Sequence, residues 1–204
     1  MIQVKICGIT RAEDAVLAAE LGAELIGFNF WPGSRRFCPP ELAQEIAARL
    51  PPRVKRVGVF VNEHRTRVDD VARQVGLDLI QLHGDERPED CTGYALPVVK
   101  ALQVRDAPSL DVLRSWPVQA LLLDTPSPGF GGSGRSFSWD LVKGVSRELP
   151  VWLAGGLNPE NVAAAIRAVR PEVVDVASGV EAALGIKDPD KLARFIAAAR
   201  EAVR

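Results

Sequence analysis

Three observations in the sequence predict an α/β chain folded as a single-domain (β/α)8 (TIM) barrel over residues 1–204. Short apolar runs alternate with helix-like stretches from one end of the chain to the other, and the alternation repeats eight times. The runs are four to six residues long and rich in Val, Ile and Leu, as strands buried on both faces of a parallel sheet are. Spread over 204 residues, each strand–helix unit takes about 25, room for one right-handed crossover between parallel neighbours. Eight such units suit a closed barrel. An open doubly wound sheet is the alternative, and it usually stops at five or six strands.

The expected strands are Ile2–Cys7, Leu25–Phe30, Arg56–Val61, Asp78–Leu82, Val98–Ala101, Ala120–Asp124, Val151–Ala154 and Val173–Ala177. The helices between and after them are Ala12–Leu21, Pro40–Leu50, Arg67–Val75, Pro88–Tyr94, Ala107–Ser115, Trp139–Ser146, Pro159–Val169 and Pro189–Val203. Thr10 stands three residues before Glu13, the spacing of a capping box. Asn158-Pro159 and Asp188-Pro189 each read as an N-cap followed by proline in the first turn. Two loops rich in Gly, Pro and Ser, Trp31–Pro40 and Thr125–Ser138, follow strands and so fall on the face where barrels place catalysis.

Composition narrows the function. Twenty-five basic against 26 acidic residues leave a net charge of −1, without the basic excess of a nucleic-acid binder. A hydrophobic share of 47% excludes a disordered chain. No run approaches the roughly 18 apolar residues of a membrane span. Lys5, Arg11, Glu13 and Asp14 interrupt the first 15 residues, so no secretory leader is expected. Cys7, Cys38 and Cys91 are odd in number and widely spaced, which gives neither a disulfide framework nor a zinc pattern and suits a reduced, cytoplasmic protein.

Side chains alternate along a strand. In the first run Ile2, Val4 and Ile6 share one face, and Gln3, Lys5 and Cys7 the other. The apolar face should meet helices, which turns Lys5 and Cys7 into the barrel. An edge strand with one wet face is the alternative. A buried ammonium needs a partner. Barrel closure makes the eighth strand the neighbour of the first, and Asp175 is the one ionisable residue in its apolar run. A Lys5–Asp175 pair is therefore expected, with Asp124 as the rival partner.

The strand ends carry the candidate chemistry: Cys7, Asp124, the His83-Gly84-Asp85 turn after strand 4, and the loop holding Arg35 and Arg36 after strand 2. A thiol and a carboxylate on separate strands can serve as base and acid on one substrate. Strand 7 runs into Gly155-Gly156 and strand 8 into Ser178-Gly179, the two loops with which barrels often hold phosphate. The stretch Gly129–Gly134 lacks the Lys of a nucleotide loop and reads as a mobile flap. His64 reads as an exposed residue. His83 is either a turn residue or a substrate contact. Two histidines without clustered carboxylates make a catalytic metal unexpected.

Together these segments resemble the phosphoribosylanthranilate isomerases of tryptophan biosynthesis. The resemblance rests on Lys5–Thr10, Gly27–Phe30 with Ser34–Phe37, Val57–Asn62, Gln81–Gly84, Leu123–Thr125, Gly129–Gly134, Leu153–Leu157 and Asp175–Glu181, in family order over nearly the whole chain. Ala177-Ser178 and Trp31 depart from the family's usual residues. The resemblance implies an Amadori rearrangement with Asp124 as acid and Cys7 as base. Arg36, or its neighbour Arg35, would meet the anthranilate carboxylate, His83 would contact substrate, and Gly156, Ser178 and Gly179 would hold its phosphate. It implies no cofactor and no metal, a small phosphorylated substrate as partner, and a monomer or homodimer. The chemistry asks for Asp124 partly protonated and Cys7 able to ionise, helped by Lys5. Indole-glycerol-phosphate synthases and histidine-pathway isomerases lean on Lys with Glu or on two Asp, an epimerase on metal ligands; a first strand ending in Cys suits none of them. A barrel that only binds a phosphorylated ligand would need neither Cys7 nor Asp124.

Overall fold

The computed structural model describes residues 2–105, 113–125, 138–142, 145 and 149–203. Its strands are β1 (Gln3–Cys7), β2 (Leu25–Asn29), β3 (Lys55–Phe60), β4 (Leu79–Leu82), β5 (Val98–Gln103), β6 (Ala120–Asp124), β7 (Val151–Leu153) and β8 (Val173–Val176). Each pairs in parallel with the next, and β8 returns to β1 with Lys5 opposite Asp175, so the barrel closes. Helices α1 (Ala12–Glu20), α2 (Pro40–Ala47), α3 (Arg65–Val75), α4 (Val162–Val169) and α5 (Pro189–Glu201) wrap it. None of the described helices is long and apolar enough to cross a membrane.

Period-2 alternation sorts the strand side chains into two separate apolar clusters. Leu25, Val57, Leu79, Val99, Leu122, Trp152 and Val173 fill the barrel. Val4, Ile6, Ile26, Phe28, Ile80 and Val174 point outward and pack with helix residues such as Ala15, Ile46, Val71, Ile166 and Phe195. Each fully buried side chain of this size contributes about 1.5–3 kcal/mol, so the outward cluster is what holds short helices of eight to 13 residues in place.

Local expectations fare differently. Asp188 caps α5, accepting from the backbone N–H of Asp190 and Lys191 at 3.0 Å. Asn158 accepts from Glu160 and Asn161, but this closes a separate turn, and α4 starts only at Val162. Thr10 makes no capping box: its hydroxyl donates to the Gly185 carbonyl at 2.7 Å, and α1 has no side-chain cap. Exposed His64 caps α3 through Thr66. Pro88–Tyr94 forms only a single 3-10 turn, Pro88–Cys91, and Trp139–Val142 is another. The expected helix at 107–115 and the glycine-rich flap lie largely or wholly outside the described residues. After β8 the chain adds an unexpected 3-10 turn, Ser178–Val180, and a small antiparallel hairpin of β9 (Glu181–Ala183) and β10 (Ile186–Lys187).

Candidate active site

The C-terminal ends of the strands surround a cavity of about 360 Å³. Positions on or just beyond every strand except β5 line it: Cys7, Asn29, Val59, Gln81 with His83, Asp124, Ala154 and Asp175. Arg35, Arg36 and Trp31 close one side from the β2 loop, Gly156 and Ser178 the side formed after β7 and β8. Cys7 and Asp124, which sit on strands three apart around the ring, thus share one space.

Below Cys7 lies the expected ion pair. Lys5 Nζ donates to Asp175 Oδ2 at 2.9 Å, with Lys5 fully buried. Asp175 Oδ1 has no protein partner among the described residues. Burial by itself lowers the Lys5 ammonium, but Asp175 and then Cys7 outweigh it and hold it above the ordinary lysine range. For Cys7 the balance runs against the expectation of easy ionisation. Burial pushes the thiol up, Lys5 pulls it down and Asp175 pushes it up again; the net is a raised thiol. The resting group at neutral pH is therefore the thiol, because the ordinary value of about 8.5 is already above neutrality.

Asp124 is buried at the end of β6. Its Oδ1 accepts from the Thr125 N–H at 2.7 Å, and its Oδ2 stands 3.2 Å from His83 Nε2. Gln81 Nε2 lies 2.9 Å from His83 Nδ1. An amide nitrogen only donates, so Nδ1 is the acceptor in that contact, and Nε2 stands beside Asp124 Oδ2 without a hydrogen-bond partner among the described residues. His83 thus lines the cavity from just beyond the end of β4, next to the β6 carboxylate.

Of the two arginines, Arg35 is exposed and Arg36 is held. Arg36 Nε and Nη2 both donate to Glu181, each at 2.7 Å. Gly156 lines the cavity and passes its carbonyl to Asn161 Nδ2 at 2.9 Å. Gly179 has a different reason to be glycine. A Cβ there would lie 1.9 Å from the Leu157 carbonyl oxygen, so its absence lets the β7 and β8 turns pack together. Two charged residues were not singled out from sequence. Glu181 is the last residue of the Asp175–Glu181 motif, and Lys187 gave no signal. Lys187, buried on β10, donates to the Cys7 carbonyl at 2.8 Å, the Ala177 carbonyl at 3.0 Å and Glu181 Oε1 at 3.1 Å.

Residues 4–198 match the family model described as N-(5′phosphoribosyl)anthranilate (PRA) isomerase. The N-(5′-phosphoribosyl)anthranilate isomerase of Pelobacter propionicus is 50% identical over 202 residues, 98% of this chain and 97% of its own. The crystal structure of phosphoribosyl anthranilate isomerase from Thermotoga maritima superposes with a TM-score of 0.91 at 46% identity, covering 98% of this chain and 100% of that one. A crystal structure of phosphoribosyl anthranilate isomerase in complex with reduced 1-(o-carboxyphenylamino)-1-deoxyribulose 5-phosphate gives a TM-score of 0.87 at 44% identity, covering 98% of this chain and 100% of that one. A barrel whose mouth joins Cys7, Asp124 and Arg36, and whose sequence matches at this level from end to end, belongs to the N-(5′-phosphoribosyl)anthranilate isomerase family.

Proposed function

We propose that this chain catalyses the isomerase step of tryptophan biosynthesis, converting N-(5′-phosphoribosyl)anthranilate to 1-(2-carboxyphenylamino)-1-deoxyribulose 5-phosphate by general acid–base catalysis, with Cys7 as base and Asp124 as acid. The observation that carries the reading is the convergence of Cys7 and Asp124 on one cavity, with a guanidinium on one side and the β7 and β8 turns on another. Asp124 gives its proton to the ring oxygen of the furanose. The C1′–O bond breaks and the anthranilate nitrogen lone pair forms the protonated imine. Cys7, as thiolate, then takes the C2′ proton, the electron pair moves into an enolamine, and tautomerisation yields the aminoketose. His83, which lines the cavity beside Asp124, contacts the substrate. Arg36 receives the anthranilate carboxylate, whose geometry a guanidinium matches. Gly156, Ser178 and Gly179 hold the phosphate through backbone N–H groups.

The test is loss of the substrate's fluorescence on adding purified protein. Cys7→Ser and Asp124→Asn are each expected to lower kcat by at least about 10²-fold with little change in substrate affinity, the scale of a lost acid or base. Near wild-type kcat in either variant would remove that residue from its role.

A further inference from the structure

Arg36 reaches the cavity mouth along an unusual path. Its stem crosses directly above Gly8, where a Cβ would come within 2.5 Å of Arg36 Cδ, and Gly8 itself has φ +69°. Only glycine meets both conditions without strain. The guanidinium then meets Glu181 with two parallel bonds of 2.7 Å through Nε and Nη2. Such fork-shaped pairing fixes the plane of the group as well as its place. Glu181 is in turn gripped by Lys187, whose ammonium also binds the carbonyls of Cys7 and Ala177 at the ends of β1 and β8. Burial alone would raise the Glu181 carboxyl, but the Arg36 hydrogen bonds and Lys187 hold it below the usual range, so it is a carboxylate at neutral pH.

We propose that Glu181 is a positioning residue that clamps the Arg36 guanidinium by its Nε–Nη2 edge, leaves the Nη1 side for the substrate's ring carboxylate, and through Lys187 ties this anchor to the strand end that carries Cys7. The inference rests on the isomerase reading above. It explains why a hairpin too small to contribute much core follows β8: β9 delivers Glu181 and β10 delivers Lys187. Errors of about 1 Å in a reacting geometry cost up to 10²-fold, so a shared clamp on anchor and base is worth its two buried charges.

The experiment compares binding of two reduced product analogues, 1-(o-carboxyphenylamino)-1-deoxyribitol 5-phosphate and its phenylamino counterpart lacking the carboxylate. Wild-type turnover of N-(5′-phosphoribosyl)anthranilate is measured first; its absence refutes the isomerase reading rather than the clamp. Given turnover, Glu181→Gln is expected to weaken the carboxylated analogue about tenfold or more, the scale seen when an orienting partner is lost from a binding group. The analogue lacking the carboxylate should change less than twofold, and KM should rise more than kcat falls. In an Arg36→Met background the same substitution should add nothing. Equal weakening of both analogues, tighter or unchanged binding of the carboxylated one, or additivity with Arg36→Met overturns the proposal. Should Glu181→Gln not fold, the wild type still decides. The Arg36 Nε–H resonance should exchange slowly without ligand and keep its shift when the carboxylated analogue binds. A resonance that is unprotected, or that moves on binding, overturns it.

Discussion

Two of the buried lysines among the described residues stand on barrel strands, and the sheet separates them. Lys5 points into the barrel and meets Asp175, its register partner on β8. Lys100, on β5, sits between the inward residues Val99 and Ala101 and so points outward, toward the helix layer. It is just as buried, yet it ends on Gly84 O and Glu86 Oε2, both at 2.7 Å, with its ammonium 5.8 Å from the centre of the Trp116 ring. Glu86 also accepts from the backbone N–H of Asn62 and Gly84. The inner pair joins two strands beneath the thiol. The outer pair pins the β3 and β4 loops, the second of which carries His83. A charge inside a barrel is thus set beside the chemistry, whereas a charge outside it holds the frame that the chemistry stands on.

The largest effects should come from the inner pair. Lys5→Met leaves Asp175 with no other protein hydrogen bond among the described residues, and Asp175→Leu strands the ammonium. Each is expected to cost about 3–5 kcal/mol in denaturant unfolding, while the double change recovers much of the loss. Additive losses would show that the two charges are not coupled. Lys100→Met should cost less, about 1.5–3 kcal/mol, because Glu86 keeps two backbone donors after the ammonium is gone. A cost equal to that of Lys5→Met would erase the distinction between the sites.

The smallest effect is the most discriminating. Burial raises the Cys7 thiol, and the Lys5 ammonium is the group that most pulls it back. In the proposed mechanism the base is the Cys7 thiolate, so kcat/KM should climb with pH and level off only above the ordinary thiol value of about 8.5. Lys5→Met removes the lowering influence and should carry that limb further up. Lys100→Met should leave it in place. A limb that moves equally in both variants would mean that Lys5 acts on stability alone.

Legibility followed the range of the interactions. Period-2 alternation placed Lys5 and Cys7 inside, and barrel closure then selected Asp175 over Asp124 as the partner, because strand adjacency follows from the eightfold count. Lys100 obeys the same alternation, but its partner lies in a loop, and loops have no period to read. Thr10 had the spacing of a capping box, yet the Gly185 carbonyl took its hydroxyl, since the hairpin that brings Gly185 near is invisible to a local pattern. Leu184-Gly185 between two short runs was the one turn signal available for that hairpin.

The sequence by itself determined the eight-unit barrel, the inward face of β1, the rim candidates Cys7, Asp124, His83 and the Arg35-Arg36 pair, and the two glycine turns after β7 and β8. These depend on alternation, strand order and residue chemistry, all written along the chain. Only the tertiary structure decided that Arg36 is forked by Glu181, that Lys187 binds the end of the strand carrying Cys7, that His83 stands beside Asp124, and that burial outweighs Lys5 at the thiol. Each of those depends on atoms from segments far apart in sequence, within about 3 Å of one another in a low-dielectric interior, where geometry rather than composition sets the energy of a charge.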